Sequence, residues 1–330
     1  MPEHRRKGFW RRLAHKTKPY RHLLVIPLLE AARVLAQALP HGWVLALGRA
    51  LGRLGWWVDR RSRARAERQL RERGMAADRP TARRLSRQVY ETLGMNAMEF
   101  LHSLNWGPER FHQCVRIQGF EIVERELAAG RGIIFVSAHL GNWELLTRAC
   151  QAFTGRTVAA VMADQTDAAQ NRWLVRQRST GGNRLLSTQD SALGMMRHLR
   201  RGGMLALIAD QDSTRGRGLF VDFFGRPAYT PAGPAHLARR AGVAIVPVSI
   251  HRQEGDPRRH CIQVDEPLWA DPTAEEEADL QRLTQAYTRV LEQRIREHPA
   301  QWAWMHHRWN HQPGQKIRIR SAGGKARVSR

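Results

Sequence analysis

The sequence predicts an α/β protein with a mostly parallel central sheet flanked by helices, preceded by N-terminal membrane-associated helices. Three observations lead to this architecture. Short β-branched runs alternate with helical stretches after residue 104, which is typical of α/β layers. The helical stretches are long enough to be crossover connections between parallel strands. Before residue 83 the pattern is instead basic, helical and amphipathic.

Six apolar runs are predicted to be strands, and five longer stretches are predicted to be helices. The strands are residues 114–118, 133–137, 157–162, 204–209, 243–250 and 261–264. The helices are residues 121–129, 168–180, 191–201, 233–240 and 272–297. The chain is therefore divided into a basic helical region at 1–82, an α/β domain at 83–313 and a basic tail at 314–330. The tail is predicted to be disordered or to lie on an anionic surface.

Composition restricts the partners that the chain can have. The 330 residues include 54 Lys and Arg against 30 Asp and Glu, so the formal net charge is +24. A surface of this potential favours a polyanionic partner, which means nucleic acid, an anionic phospholipid surface, or an acidic protein or substrate. Cys114, Cys150 and Cys261 are too widely spaced for a disulfide framework or a CxxC metal site, which indicates a reducing compartment.

The N-terminal region is expected to contact a membrane surface without crossing it. The uncharged apolar run at 23–29 is interrupted by Glu30 and Arg33, and is far shorter than the roughly 20 residues that span a bilayer. The basic start resembles a signal peptide but has no clear cleavage site, so it is expected to be retained. The apolar stripe over 43–58 suits a helix in the membrane interface or one that packs on the domain.

The stretch GIIFVSAHLGNWELL carries the most chemical information. His139 comes two residues after a predicted strand and five before Glu144, a spacing that puts the two side chains about 140° apart on a continuous helix. They can meet if His139 lies in the loop and Glu144 in the first helical turn, with Gly141 allowing a tight backbone path. The carboxylate then fixes the tautomer of the ring and leaves the other ring nitrogen as a base. The alternative is an ordinary loop histidine.

A second polar group follows the strand that ends at residue 209. Asp210 and Asp212 lie at its carboxyl end, where they can support the site or bind the headgroup of an acceptor. Support is the favoured interpretation, because a Mg²⁺ or Ca²⁺ site needs further oxygen ligands that the sequence does not offer. Without an HExxH motif, zinc is not predicted either, so no metal is expected.

These segments resemble a known family over most of the chain. HLGNWE at 139–144 matches the HxxxxD/E motif of the lysophospholipid acyltransferase superfamily, and the remainder is similar to its lipid A biosynthesis branch, the lauroyl/myristoyl (late) acyltransferases. The supporting segments occur in family order and are ADQD at 209–212, VDFFGRPAYTPAG at 221–233, LARRAGVAIVPVSIHR at 237–252 and IREHPAQWAWMHHRWNHQP at 295–313.

The resemblance implies a glycerolipid acyltransferase-like fold in which residues 83–313 form the catalytic domain. It implies transfer of a fatty acyl group from an acyl carrier protein or CoA thioester to a hydroxyl of a lipid A precursor or related glycolipid. His139 would be the general base and Glu144 its partner. Arg176 matches a family arginine near the active site, with Arg178 as its rival, and either could hold a phosphate or the thioester oxyanion. The residues expected to bind substrate are Arg176, Arg178, Asn142, Asp210 and Asp212.

The implied partners agree with the charge of the chain. Acyl carrier protein is acidic and the acceptor is anionic, so both would be attracted to a basic surface. The resemblance places the protein at the cytoplasmic face of the inner membrane, with the thioester as co-substrate and no other cofactor. Alternative acceptors are a lysophospholipid, a phosphatidylinositol mannoside or another glycolipid. A nucleic-acid-binding protein is the alternative from another class, but no helix-turn-helix, RNP or zinc-finger pattern occurs, so no nucleic acid is expected.

Overall fold

The computed structural model describes residues 21–162, 167–187, 191–212, 218–315, 318–320 and 326–328. The described chain begins with a helical layer formed by four helices. They are α1 (Arg21–Ala38), α2 (His41–Val58), α3 (Arg60–Glu72) and α4 (Arg79–Ser103). The helices α2 and α4 approach backbone to backbone through glycines, since a Cβ on Gly52 would lie 2.2 Å from the Tyr90 carbonyl oxygen and one on Gly94 would lie 2.1 Å from the Gly48 carbonyl oxygen.

The apolar residues of α2 divide between two faces. Val44 and Trp56 are buried against α4, whereas Trp43, Leu54 and Trp57 are 59–70% exposed. The expectation that this helix packs on the domain is confirmed for one stripe. Another apolar stripe faces solvent, and its contact with a membrane stays a prediction. Within the described residues, no helix is both long enough and apolar enough to cross a bilayer.

The central sheet has seven strands in the order β1-β9-β8-β2-β5-β3-β4. The strands are β1 (Val115–Gln118), β2 (Ile133–Ser137), β3 (Val158–Met162), β4 (Arg184–Ser187), β5 (Met204–Ile208), β8 (Ala244–Arg252) and β9 (His260–Val264). Every strand pair in this sheet is parallel except β8 with β9. The prediction of an α/β fold with a mostly parallel sheet is confirmed, and each of the six predicted strands is present.

Some elements were not predicted. The edge strand β4 has exposed Arg184 at its start, and the antiparallel hairpin of β6 (Gly218–Phe223) and β7 (Arg226–Pro231) lies outside the main sheet. The other described helices are α5 (Pro108–Cys114), α6 (Phe120–Ala128), α7 (Leu146–Thr154), α8 (Ala168–Arg178), α9 (Ala192–Arg200), α10 (Gly233–Ala241) and α11 (Glu276–Glu297). Of these, α5 and α7, of seven and nine residues, were also not predicted from the sequence.

Two apolar cores lie on opposite faces of the sheet. The side chains of β2 alternate between these faces, so every residue of β2 is buried. Ile134 and Val136 belong to the core covered by α10 and α11, whereas Ile133 and Phe135 belong to the core covered by α6 and α7. Burying each of these side chains contributes roughly 1.5–3 kcal/mol. The central strand is thus fixed from both sides, and the loop after it starts from a rigid position.

The predictions for the two ends of the chain fall largely outside the described part. Residues 1–20 are not described, nor are 316–317, 321–325 and 329–330 of the predicted tail. Within the tail, β10 (Arg318–Arg320) and β11 (Ala326–Val328) pair as short antiparallel strands.

Candidate active site

His139 and Asp210 meet because the strands that precede them are aligned neighbours. β2 and β5 run parallel with Ser137 paired to Ile208, so residues two positions beyond each strand end lie side by side. The loops after parallel strands form the usual site-bearing edge of an open α/β sheet. The sheet register, which sequence periodicity does not reveal, thus brings together two residues that are 71 positions apart.

Asp210 holds His139 at two points. Its Oδ1 lies 2.7 Å from the Nδ1 of His139, and its Oδ2 accepts a hydrogen bond of 2.8 Å from the His139 backbone amide. Trp302 donates from Nε1 to the same Oδ2 at 2.7 Å. Burial acts to raise the pKa of Asp210, but the charge of His139 and the hydrogen bonds from His139 and Trp302 outweigh burial and hold the pKa below its ordinary range. Asp210 is therefore ionised.

An ionised carboxylate accepts hydrogen bonds only, so Nδ1 of His139 carries a proton, and in the neutral ring Nε2 has the lone pair. Burial acts to lower the pKa of His139, but the charge and hydrogen bond of Asp210, followed by the charge of Glu144, raise it overall. The ring is partly accessible, with 21% of its side chain exposed, and Trp143 packs edge-on against it at 4.9 Å between ring centroids. This geometry suits a histidine that accepts a proton at Nε2.

The prediction that Glu144 forms a hydrogen bond with His139 is wrong. Glu144 instead forms a two-point ion pair with Arg178, in which Nε donates to Oε2 at 2.8 Å and Nη2 donates to Oε1. Glu144 lies in a single 3₁₀ turn at Trp143–Leu145, and the Trp143 ring packs against the imidazole. Asp210 occupies the position expected for Glu144, and Glu144 acts on His139 through its charge rather than through a hydrogen bond.

The structure separates the two rival arginines of α8. Arg178 forms an ion pair with Glu144 of the motif, whereas Arg176 is exposed. The hydrogen bond from Arg33 is the main cause that lowers the pKa of Glu30 on α1, and the charge of Arg176 adds to it. Glu30, which interrupts the N-terminal apolar run, also accepts 2.8 Å from the indole nitrogen of Trp173. Arg178 is therefore the arginine at the candidate site, and Trp173 in the middle of α8 joins this helix to α1.

Asn142 is not placed to touch a substrate. It is fully buried, and its Nδ2 donates to Oε2 of Glu99 at 2.8 Å. Glu99 is also fully buried and accepts hydrogen bonds from Arg252 at 2.6 Å, while the ring nitrogens of His41 and His260 lie 2.8 and 3.0 Å from its carboxylate. Burial raises the pKa of Glu99, but the charges of His260 and Arg252 exceed that effect and lower it strongly. This buried charge cluster anchors the loop from within.

Gly141 is required by the same loop. Its φ is +55°, in the left-handed region, and a Cβ there would lie 2.1 Å from the carbonyl oxygen of Ile250. Its own carbonyl accepts a hydrogen bond of 2.6 Å from Nδ2 of Asn96, and Oδ1 of Asn96 accepts a hydrogen bond from Arg252. The expected tight backbone path at Gly141 is therefore present, and the Glu99 cluster holds it.

Asp212 lies in a second histidine–aspartate pair. Its Oδ1 is 2.8 Å from Nδ1 of His311, and its Oδ2 accepts 3.1 Å from the His311 amide. The neighbouring Gln211 projects differently, with its side-chain nitrogen 3.3 Å from Nε2 of His139 and 3.0 Å from Nε2 of His306. Burial and the charge of His139 lower the pKa of His306 to about 4, so His306 is neutral next to the base.

The closing segment of the domain forms the back of the site. Leu140 and Trp302 form an antiparallel bridge, and the Gly141 amide donates 3.1 Å to the Gln301 carbonyl. Trp302 and His306 lie in the segment at 295–313 that resembles the family, and neither was predicted to have a role of its own. The run of tryptophans there could have signalled a buried segment, but its position behind His139 depends on long-range pairing. Among the described residues, no cluster of three or more His, Cys, Asp and Glu side chains has the form of a metal site.

A cavity of about 510 Å³ opens beside His139 and continues beneath the sheet face covered by α6 and α7. This volume lies within the range of about 300–1,000 Å³ found for small-molecule sites. Polar groups cluster at its mouth, where His139, Glu144, Arg178 and Gln211 contribute to the lining. Its other walls are mostly apolar, with Phe135, Val248, Ile262 and Ala160 among them. The arrangement suits a molecule with a reactive polar end and a hydrocarbon body.

Comparison with known proteins identifies the family. The model for the bacterial lipid A biosynthesis acyltransferases matches residues 13–311. The chain is 25% identical over 281 residues to the lipid A biosynthesis lauroyltransferase of Escherichia coli K12, covering 84% of this chain and 89% of the relative. It is 26% identical over 261 residues to the myristoyltransferase of the same organism, covering 78% and 77% respectively.

A mycobacterial relative has a higher identity over a shorter stretch. The chain is 32% identical over 200 residues to the phosphatidylinositol mannoside acyltransferase of Mycobacterium tuberculosis H37Rv, covering 58% of this chain. The match spans 59% of the length of that relative. Because the family model covers most of the sequence, including the His139 loop and the closing segment, the chain belongs to the bacterial lipid A biosynthesis acyltransferase family.

Proposed function

We propose that this protein transfers a fatty acyl group from a thioester to a hydroxyl group of an anionic glycolipid. The observation that carries the proposal is the His139–Asp210 pair at the mouth of an apolar cavity. The histidine supplies a base whose tautomer is fixed, and the cavity supplies a place for a hydrocarbon chain. Family membership supports the same reaction class.

The chemical step uses the lone pair on Nε2 of His139. This nitrogen takes the proton of the acceptor hydroxyl as the oxygen attacks the carbonyl carbon of the thioester. A tetrahedral oxyanion forms and then collapses, so that the carbon–sulfur bond breaks and an ester remains. The thiolate leaves and takes the proton back from His139. Asp210 stabilises the imidazolium that exists between the two proton transfers.

Arg178 is the group best placed to stabilise negative charge in this step. It lines the mouth of the cavity with Glu144, and its guanidinium is held by two hydrogen bonds to the Glu144 carboxylate. A guanidinium oriented in advance can stabilise a developing oxyanion or a phosphate of the acceptor without reorganising. In the proposal, Glu144 is therefore the residue that positions Arg178.

The proposed donor is an acyl carrier protein or CoA thioester, and the proposed acceptor is a lipid A precursor or related glycolipid. Both donors and the acceptor are anionic, which fits the net charge of +24. The names of the relatives support two acceptor classes, lipid A precursors and phosphatidylinositol mannosides. No further cofactor enters the proposed reaction.

The proposed location is the cytoplasmic face of the inner membrane, with α1 and α2 lying on the bilayer. These helices expose a row of large apolar side chains, and basic side chains flank it. The apolar residues are Leu28, Val34, Leu35, Trp43, Leu51, Leu54, Trp57 and Val58. The exposed basic residues are Arg49, Arg53, Arg60 and Arg61. Apolar insertion combined with attraction to anionic headgroups is the usual basis of surface attachment.

A donor and acceptor matrix tests the proposal. Purified protein in detergent is incubated with acyl carrier protein or CoA thioesters, and with a lipid A precursor, a phosphatidylinositol mannoside or a lysophospholipid as acceptor. Mass spectrometry of the products is expected to show one added acyl group on a glycolipid. Absence of acylated product from every pair, with folded protein, would contradict the proposal. Strong salt-sensitive DNA binding without transfer would instead support the nucleic-acid alternative, which the family match does not favour.

A further inference from the structure

The cavity extends to both sides of the strand that carries His139. β2 is the middle strand of seven, with three strands on each side. On one side the walls include Val248 of β8, Ile262 of β9 and Ile117 of β1, and on the other they include Ala206 of β5, Ala160 of β3 and Leu185 of β4. We call these the β1-side half and the β4-side half of the cavity.

The two halves have similar lengths. Three strand intervals separate β2 from either edge strand, which at about 4.8 Å per interval is about 14 Å. One acyl chain of a bilayer occupies half of a hydrocarbon core of about 30 Å, or about 15 Å. Each half therefore has the reach of one fatty acyl chain, and the whole cavity has the reach of two.

The β4-side half owes its space to small side chains in register. Phe135 is paired with Ala206, Ala206 with Ala160, and Ala160 with Leu185, so these positions form one row across four strands. Alanine at both central positions leaves room beneath α7 that a larger apolar residue would fill. The β1-side half is instead bounded by α6, from which Phe120 and Val123 contribute walls.

A transferred chain cannot use both halves at once. Its carbonyl carbon is the reacting atom and must lie next to His139, which is at the centre of the cavity mouth. The chain then extends to one side only, and the other half remains an apolar space without an occupant. Apolar surface of this kind is stabilised by a second hydrocarbon chain rather than by water.

We propose that the cavity is a two-chain site, in which one half holds the acyl chain being transferred and the other holds an acyl chain already present on the acceptor lipid. This inference rests on the proposed function. It adds that the acceptor is recognised through a hydrocarbon chain as well as through its polar headgroup, and that separate residues select the length of each chain.

Variants that fill one half at a time test the proposal. Ala160→Leu shortens the β4-side half, and Ile117→Phe shortens the β1-side half; both positions are only partly buried. Each variant is assayed with thioesters of increasing chain length, and with lipid A precursors whose own acyl chains vary in length. We expect each variant to shift the chain-length dependence of kcat/KM for one substrate and leave the other unchanged. One misfitted methylene in an apolar pocket changes kcat/KM by about 10–200-fold.

The outcomes separate the inference from the proposed function. If wild-type protein transfers acyl groups but both variants shift the dependence on the same substrate, the two-chain site is overturned while the acyltransferase remains. If the wild type transfers nothing, the proposed function itself fails. Leu185→Phe and Phe120→Trp provide a second pair of variants if either of the first pair unfolds, as judged by thermal denaturation. Gln118→Leu is the control, because it adds apolar volume at an exposed position of β1 outside the cavity.

A binding measurement gives an independent readout. Titration uses a fluorescent fatty acid that is too long for a shortened half. It is expected to show two chains bound by the wild-type cavity, one by each single variant and none by Ala160→Leu combined with Ile117→Phe. The acidic and apolar probe also binds exposed surfaces, so the double variant supplies the background. One chain in the wild type, lost equally in both single variants, would overturn the two-chain site.

Discussion

One carboxylate oxygen of Asp210 binds Nδ1 of His139 and the other binds the His139 backbone amide, so a single residue fixes both the ring and its loop. The Asp210→Asn variant replaces one acceptor oxygen with an NH₂ group and removes the negative charge. We expect kcat/KM for acyl transfer to fall on the order of 10²–10⁴-fold, which is the usual contribution of an oriented base. Steady-state kinetics on folded variant protein measures this effect.

The matched control is Asp212→Asn, because Asp212 clamps His311 through the same two contacts. This variant removes a histidine–aspartate pair of the same form but leaves His139 untouched. A much smaller loss of activity is expected. Equal losses in the two variants would show that the Asp210 effect has nothing specific to do with the base.

The pH dependence follows from the raised pKa of His139. Transfer needs the neutral imidazole, so kcat/KM should fall as the pH drops through a pKa that lies above the ordinary value of 6.5. The Asp210→Asn variant loses the charge that raises this pKa but keeps the burial that lowers it. In this variant, the fall of kcat/KM at acidic pH should therefore occur at a lower pH. If it occurs at the same pH as in the wild type, a group other than His139 controls it.

The same shift affects stability in the opposite direction. A folded-state pKa above the unfolded value stabilises the protein fully below pH 6.5, and this contribution is lost as the pH rises through the folded value. The free energy of unfolding, measured with denaturant, should therefore decrease less in Asp210→Asn than in the wild type as the pH rises above 6.5.

The ion pair of Glu144 with Arg178 should behave as one unit. Glu144→Ala leaves the guanidinium without an anchor, and Arg178→Ala removes the guanidinium itself. The double variant is expected to lose less than the sum of the two single losses, with a coupling energy of about 0.5–3 kcal/mol in kcat/KM. Fully additive losses would indicate that Glu144 acts independently of Arg178.

The sequence was sufficient for most of the central sheet, and it singled out His139 as the candidate base. Short β-branched runs and helix-length connections predicted six of the seven strands of the main sheet, and His139 was predicted from its place after β2 and from the motif at 139–144. It was not sufficient for the partner of that base. Glu144 is near in sequence, but Asp210 is near in space because β2 and β5 are paired in register, and strand order is a long-range property. Asp210 had been predicted to support the site or to bind the acceptor, but not to be the partner of His139.

Asn142 illustrates the same limit. A polar residue in a reactive loop was expected to bind substrate, yet it is directed inwards to Glu99, a residue on a helix that the motif does not include. Glu99 lies in the sequence MEF, where nothing indicates that four other side chains converge on it. Trp302 likewise reaches Asp210 only because the closing segment pairs with the His139 loop, which is another long-range contact.

Glu99 should be essential for stability rather than for chemistry. Its carboxylate is fully buried among Arg252, His41 and His260, so Glu99→Ala leaves buried cationic and polar groups without a partner. We expect a loss of about 3–5 kcal/mol in the free energy of unfolding. The control is Glu91→Ala, whose partners Arg53 and Arg87 are 56% and 51% exposed, and its loss should be at most about 1 kcal/mol. Similar losses in denaturant unfolding would contradict the anchoring role.

The exposed face of α2 should determine attachment to membranes. Trp43 and Trp57 are 70% and 63% exposed, so replacing both with Ala should weaken sedimentation with anionic phospholipid vesicles while leaving folding intact. Trp56→Ala is an unsuitable control because Trp56 is buried, and Trp269→Ala serves instead, since Trp269 is 40% exposed outside this face. Unchanged vesicle binding by the double variant would exclude this surface as the attachment site.

The most direct test of the account is the rate of acyl transfer by the His139→Ala variant, measured with folded protein and saturating thioester and acceptor. If Nε2 of His139 takes the proton from the acceptor hydroxyl, kcat should fall by roughly 10²–10⁴-fold. Transfer at the wild-type rate would contradict this role, because it would show that the histidine held by Asp210 at the mouth of the cavity is not needed to take the proton.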